Sequence, residues 1–100
     1  MKKFLRGETV TIEDEFSVSG TLTTPDTSYT CEIDDPFNEN IVDADSAEGD
    51  MTEVSTGVLR FNWNIPDDAK LGVYKADCIY VHGGVTTKQR HLFEVAKEVD

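Results

Sequence analysis

GVLRFNWNIPDDAKLGVYKADCIYV, residues 57–81, decides the fold of this 100-residue chain. In its first part Leu59, Phe61, Trp63 and Ile65 alternate with Arg60, Asn62 and Asn64. A period of two places four large apolar side chains on one face of an extended segment and polar ones on the other. Pro66 has no N–H to give to a ladder, so the strand stops there. Asp67 and Asp68 follow with side chains that favour a turn. After Gly72 a second extended run sets Tyr74, Ala76, Cys78 and Tyr80 on its inner side. Two half-buried strands joined by a corner predict an all-β protein.

Working outward, the same alternation recurs. Residues 2–6 predict a short first strand with Phe4 or Leu5 facing in. Residues 9–18 predict a strand with Val10, Ile12, Phe16 and Val18 inward and Asp14 as the exception to the pattern. Residues 20–27 contain Pro25-Asp26 and read as a loop. Residues 28–34 predict a strand with Tyr29, Cys31 and Ile33 inward, ended by Asp35-Pro36. An irregular acidic middle, 38–53, holds a short strand over 40–43 carrying Ile41 and a loop over 43–50. The glycines at 83 and 84 mark a hairpin, and residues 85–95 predict a last strand closing the core with Phe93 and Val95. About seven short strands at this spacing predict an antiparallel β-sandwich of immunoglobulin-like type, one domain over 1–100 with 96–100 as a tail.

Charge narrows the choice of partners. The net charge is −11, and between residues 7 and 59 there are 14 acidic residues and no Lys or Arg. Phosphate backbones need clustered cations, so nucleic acid is not an expected partner. No apolar run reaches the roughly 18 residues of a membrane span. The opening MKKFLRGETV has a basic start without an apolar stretch behind it, so no signal peptide is expected.

Few residues point to chemistry. Cys31 and Cys78 are predicted on neighbouring strands of one sheet, with two buried thiols as the expected state and a cross-strand disulfide as the alternative. His82 lies in the hairpin and His91 on the last strand, neither with a nucleophile beside it in sequence, so both read as ordinary histidines. The run DADSAEGD, 43–50, offers carboxylates but departs from a calcium loop, with Ala47 at the third ligand position and Gly49 one residue late. No phosphate-cradling glycine loop is present. These observations predict no enzyme, no cofactor and no metal site. The outward residues of the last hairpin predict instead a protein-docking face, with Ile79, Val81 and Leu92 as an apolar centre and Lys75, Lys88 and Arg90 as a cationic rim.

Several segments carry a family resemblance: RGETVTI (6–12), IDDP (33–36), MT (51–52), STGVL (55–59), WNIPDDA (63–69), LGVY (71–74) and FEV (93–95). Together they resemble short immunoglobulin-like proteins found among the structural genes of tailed bacterial and archaeal viruses and prophages. The PDDA…GxY corner is also similar to that of macroglobulin-type sandwich domains. A Tyr shortly after such a corner resembles the tyrosine corner of immunoglobulin-like folds. The chain departs from the viral group at Cys31 and Cys78, where aliphatic residues are usual, and at Phe37-Asn38. The resemblance implies a non-enzymatic module of a virus particle, located in the virion or in host cytoplasm before assembly. Its partners would be other virion proteins or copies of itself, and the cation-free acidic stretch 7–59 set against the basic C-terminal portion predicts head-to-tail contact closing into a ring-like oligomer. The runner-up is a cell-surface or carbohydrate-binding accessory domain, which exposed aromatic residues would favour.

Overall fold

In the computed structural model, which describes residues 1–98, the alternating stretch is a strand with Leu59 and Phe61 buried and Trp63 half-buried, and Ile65 is buried just past its end. Ten strands form among the described residues: β1 (Lys2–Phe4), β2 (Thr9–Glu15), β3 (Ser17–Val18), β4 (Thr21–Leu22), β5 (Ser28–Asp34), β6 (Asn40–Val42), β7 (Thr52–Ser55), β8 (Val58–Asn64), β9 (Gly72–His82) and β10 (Val85–Val95). The remaining regular element is one 3-10 turn, Ala47–Gly49. The chain is therefore all-β. Five strands make one sheet in the order β1-β10-β9-β5-β6, three make a second in the order β2-β8-β7, and β3 and β4 form a small ribbon. β1 runs parallel to β10, while the other pairings are antiparallel.

The sheets meet over one core. Val10, Ile12, Leu59 and Phe61 come from the three-stranded sheet, and Cys31, Ile33, Tyr74, Ala76, Tyr80, Phe93 and Val95 from the five-stranded one. Tyr74 stacks on Phe93 at 5.4 Å, and Trp63 lies 5.6 Å from Tyr74. The corner between β8 and β9 is tied down by one long-range bond and one local one. Arg6 Nε donates to the Ala69 carbonyl at 2.7 Å, and the Tyr74 hydroxyl donates to the Lys70 carbonyl at 2.6 Å.

Four expectations needed correction. The strand expected over 9–18 stops at Glu15, because Phe16 bonds sideways: its N–H donates to Gly57 O, and its carbonyl accepts from Thr23 N. Gly57 permits this approach, since a Cβ there would lie 2.7 Å from Thr23 N. Beyond the break, Ser19 and Gly20 have φ of 51° and 81°, the two positive values of a tight hairpin turn. Residues 21–22, expected in a loop, are thus a strand, and Val18 is exposed rather than inward. In β6 it is Val42 that faces in and Ile41 that is exposed, because the β5–β6 register shifts at Ile33/Asp34. β7 falls partly within the stretch expected to be irregular. All four of its side chains are exposed, so it carries no alternation to read. Of the expected tail, Ala96 still donates its N–H to Phe4 O, and residues 99–100 lie outside the described residues.

Candidate functional site

The outer face of the five-stranded sheet holds all six residues expected to dock a partner. Register fixes their rows: Lys88 lies beside Ile79 and Thr30, Arg90 beside Asp77 and Glu32, and Leu92 beside Lys75 and Asp34. Thr86, Val81 and Ser28 form the row beyond Lys88. Ile79 and Val81 are adjacent and half-buried, whereas Leu92 is 47% exposed. The Arg90–Asp77 row separates them, so the apolar centre is split in two. Arg90 is not a free rim charge either: its Nε and Nη2 reach the two carboxylate oxygens of Asp77 at 2.8 and 3.0 Å. Asp77 is only 7% exposed, and the guanidinium holds its carboxyl below the usual carboxylate range. Lys75 is engaged with the Asn38 side chain. What remains is a gradient across the face, with Lys88 beside the paired Arg90 on β10 and Glu32 and Asp34 on β5.

A second constellation lies between the sheets. Asp14 follows Val10 and Ile12 in the inward phase of β2, so its carboxylate enters the space where an apolar side chain would ordinarily pack. There Oδ2 accepts from the Tyr80 hydroxyl at 2.5 Å, and Oδ1 lies 2.7 Å from His91 Nε2. The Cys78 sulfur joins this pair, the three ligand atoms of Asp14, Cys78 and His91 lying within 4.8 Å of one another. Cys78 also faces Cys31 directly across the β5–β9 ladder, and both thiols are free and fully buried. The contact with Cys31, and then burial, push the Cys78 thiol well up, so it is not an attacking group. Burial, and then the bond to Asp14, push the Tyr80 phenol up, which keeps it a donor. An open recess of about 440 Å³, lined in part by Asp14, Phe16, Tyr80, Thr87 and Gln89, borders the cluster. It forms where β10 lacks an outer neighbour, since β1 pairs only from Phe93 onward.

Sequence order hid this cluster. Its members are scattered from position 14 to position 91, and His91 read as ordinary. The available signal was Asp14 itself, a carboxylate in phase with two inward aliphatics. The acidic run 43–50 gathers differently: Asp43 caps its own loop, accepting from Asp45 N–H at 2.9 Å, while its carbonyl takes the Ser46 hydroxyl. No protein-family model matches the chain, and no curated protein or solved structure matches it either.

Proposed function

We propose that this chain is an immunoglobulin-like protein-docking module of a tailed-virus particle, acting through the outer face of its five-stranded sheet. The strand order supports the fold assignment. β2, β8 and β7 stand for strands B, E and D of that scheme, and β10, β9, β5 and β6 for G, F, C and C′. The Tyr74 hydroxyl bonding back to the carbonyl four residues upstream fits its tyrosine corner. Two residues beyond that tyrosine the chain has Ala76 in place of a cysteine, and Asp14 of β2 stands opposite β9, so the cross-sheet disulfide of antibody domains has no counterpart. The particle assignment rests on the sequence resemblance.

The observation that carries the docking reading is the charge gradient across a face with exposed Val73 and Leu92 and half-buried Ile79 and Val81. A twofold axis along β9, between two such faces, lays β10 of one copy over β5 of the other. Row then lies over row, so Lys88 sits over Thr30 within diagonal reach of Glu32, and the Arg90–Asp77 pair lies over Glu32, an isologous contact that closes as a pair rather than the ring expected from sequence. The sugar-binding alternative has little beside it: the one large exposed aromatic among the described residues, Phe37, carries the Lys70 ammonium 5.1 Å from its ring centre.

Charge exchange tests the pairing. Lys88→Glu and Glu32→Lys should each weaken self-association in sedimentation, and an equimolar mixture of the two should restore it. Both substitutions are at surface positions and should shift stability by less than about 0.5 kcal/mol. Arg90 is unsuitable for this purpose, because Arg90→Glu would set three carboxylates in one row and strand the buried Asp77. A parent that stays monomeric at its highest soluble concentration, or variants that associate as the parent does, would refute the contact. Capsid, portal or tail genes flanking this one would support the particle assignment, and a polysaccharide-hydrolase gene there would oppose it.

A further inference from the structure

We propose that Asp14, Cys78 and His91 form a zinc site that joins the two sheets, with solvent from the adjoining recess as fourth ligand. Carboxylate, thiolate and imidazole are the donors zinc takes, whereas calcium and magnesium want oxygen alone. The three residues sit on β2, β9 and β10, so ladders on both sides of the core hold them in place. Their ligand atoms already converge within 4.8 Å. Donors on tetrahedral zinc stand about 3.3–3.6 Å apart, given bonds of roughly 2.0–2.3 Å. The set must therefore close by about an ångström around Cys78, while the Asp14–His91 contact opens by somewhat less.

The cluster also suits a cation. The Asp14 side chain is only 10% exposed, and its charge partner among the described residues is His91, with no Lys or Arg beside it. A buried carboxylate without a fixed positive charge is costly, and a divalent ion supplies that charge. Asp14 is also already oriented for the task. Tyr80 holds Oδ2 and leaves Oδ1 toward His91, the arrangement by which an outer hydrogen bond fixes a ligating carboxylate. On binding, Cys78 gives up its thiol proton to buffer and becomes the thiolate ligand, His91 binds neutral through Nε2, and Asp14 binds as the carboxylate, so zinc retains its charge and no electrons move.

The experiment uses the whole chain, stripped with chelator in the presence of a non-thiol reductant. Calorimetric titration with zinc, in two buffers of different ionisation enthalpy, should give one site with proton release. Cobalt(II) should give a thiolate-to-metal charge-transfer band in the near ultraviolet and the intense visible bands of a tetrahedral ion. Cys78→Ala and His91→Ala should weaken zinc binding by at least about 100-fold, because even outer partners of a ligand contribute roughly 10–100-fold. Cys31→Ala should leave binding within a few-fold of the parent, and far-ultraviolet circular dichroism checks that each variant folds. Carboxylates of the acidic surface can bind zinc weakly but give no thiolate band. Absence of that band in the unmutated protein, its persistence in Cys78→Ala, or its loss in a folded Cys31→Ala overturns the proposal, and with only two cysteines in the chain a band retained by Cys31→Ala assigns it to Cys78 even if Cys78→Ala does not fold.

Discussion

Tyr74→Phe isolates one hydrogen bond of the β8–β9 corner. The ring is 1% exposed, and phenylalanine can keep its stacking on Phe93 and its contact with Trp63. Only the hydroxyl is lost, and with it the 2.6 Å bond to the Lys70 carbonyl. A neutral hydrogen bond contributes about 0.5–1.5 kcal/mol net, and a carbonyl left dry adds about 1–3 kcal/mol. Lys70 is exposed, so water can reach part of what the hydroxyl leaves, and the loss falls near 1–2 kcal/mol. For 100 residues the unfolding entropy is about 0.2 kcal/mol/K, which converts that loss to a fall in Tm of about 5–10 °C. Thermal and urea melts followed by circular dichroism measure it, and the urea slope should not change, because the exposed surface on unfolding is the same. A Tm within a degree of the parent's would mean that the hydroxyl does not hold the corner, and the tyrosine-corner reading would fall with it. A changed slope would place the effect in the unfolded chain instead.

Two further outcomes follow from the described geometry. Alkylation of the metal-free protein under denaturing, non-reducing conditions should add two groups, and should proceed slowly in the native state because both sulfurs are fully buried. No added groups would mean that the facing strands carry a Cys31–Cys78 disulfide. Stability should also fall in acid. The Arg90 guanidinium lowers the Asp77 carboxyl, and the backbone N–H groups of Glu39 and Phe37 lower that of Asp35, which lies on the Lys70 ammonium at 3.3 Å. Both folded-state values lie below the unfolded one, about 3.9, so their contribution is complete above that pH and is lost as pH falls through the folded values. Urea midpoints from pH 6 to pH 2 check this, and the acid loss should shrink in Asp77→Asn.

The legible parts of the fold were those with one wet face and one dry one. β2, β8 and the stretch Cys31–Asp34 of β5 alternate, as do Tyr74–Tyr80 of β9 apart from buried Asp77 and the end of β10 from His91 onward. Two kinds of segment escaped. β7 has no dry face at all, and pairing with β8 alone makes it a strand. β3 and β4 depend on Gly57, 35 or more positions away, which lets Phe16 turn out of line. A bulge then reverses the faces of Ile41 and Val42. In each case backbone pairing decided the outcome, near in sequence for β6 and β7 and distant for Gly57, and side-chain pattern does not encode such contacts.

The site divides along the same line. That Lys75, Ile79, Val81, Lys88, Arg90 and Leu92 share a face follows from period two and a two-glycine hairpin, both readable. Which of those charges remain free follows only in part: Asp77 stands opposite Arg90 in the same outward phase, whereas Asn38 reaches Lys75 from a loop. The polar cluster was less accessible still, yet it left a trace in Asp14. A sandwich of this size could carry apolar residues at Asp14 and its partners together and lose little stability, since buried ionic groups seldom exceed a well-packed apolar substitute for the whole set. Hydrophobic burial alone therefore gives no reason for a carboxylate at that position. Tyr80 and His91 satisfy it, so it is not a packing fault, and no buried side-chain N or O among the described residues lacks a partner. A satisfied polar network in a core where an apolar residue would serve is a sign of recognition. Asp14 is accordingly the residue to replace, but not alone, since its loss leaves the buried Tyr80 hydroxyl without an acceptor: Asp14→Leu together with Tyr80→Phe should hold the melt near the parent's while removing whatever the cluster binds, and Asp14→Leu by itself should lower it.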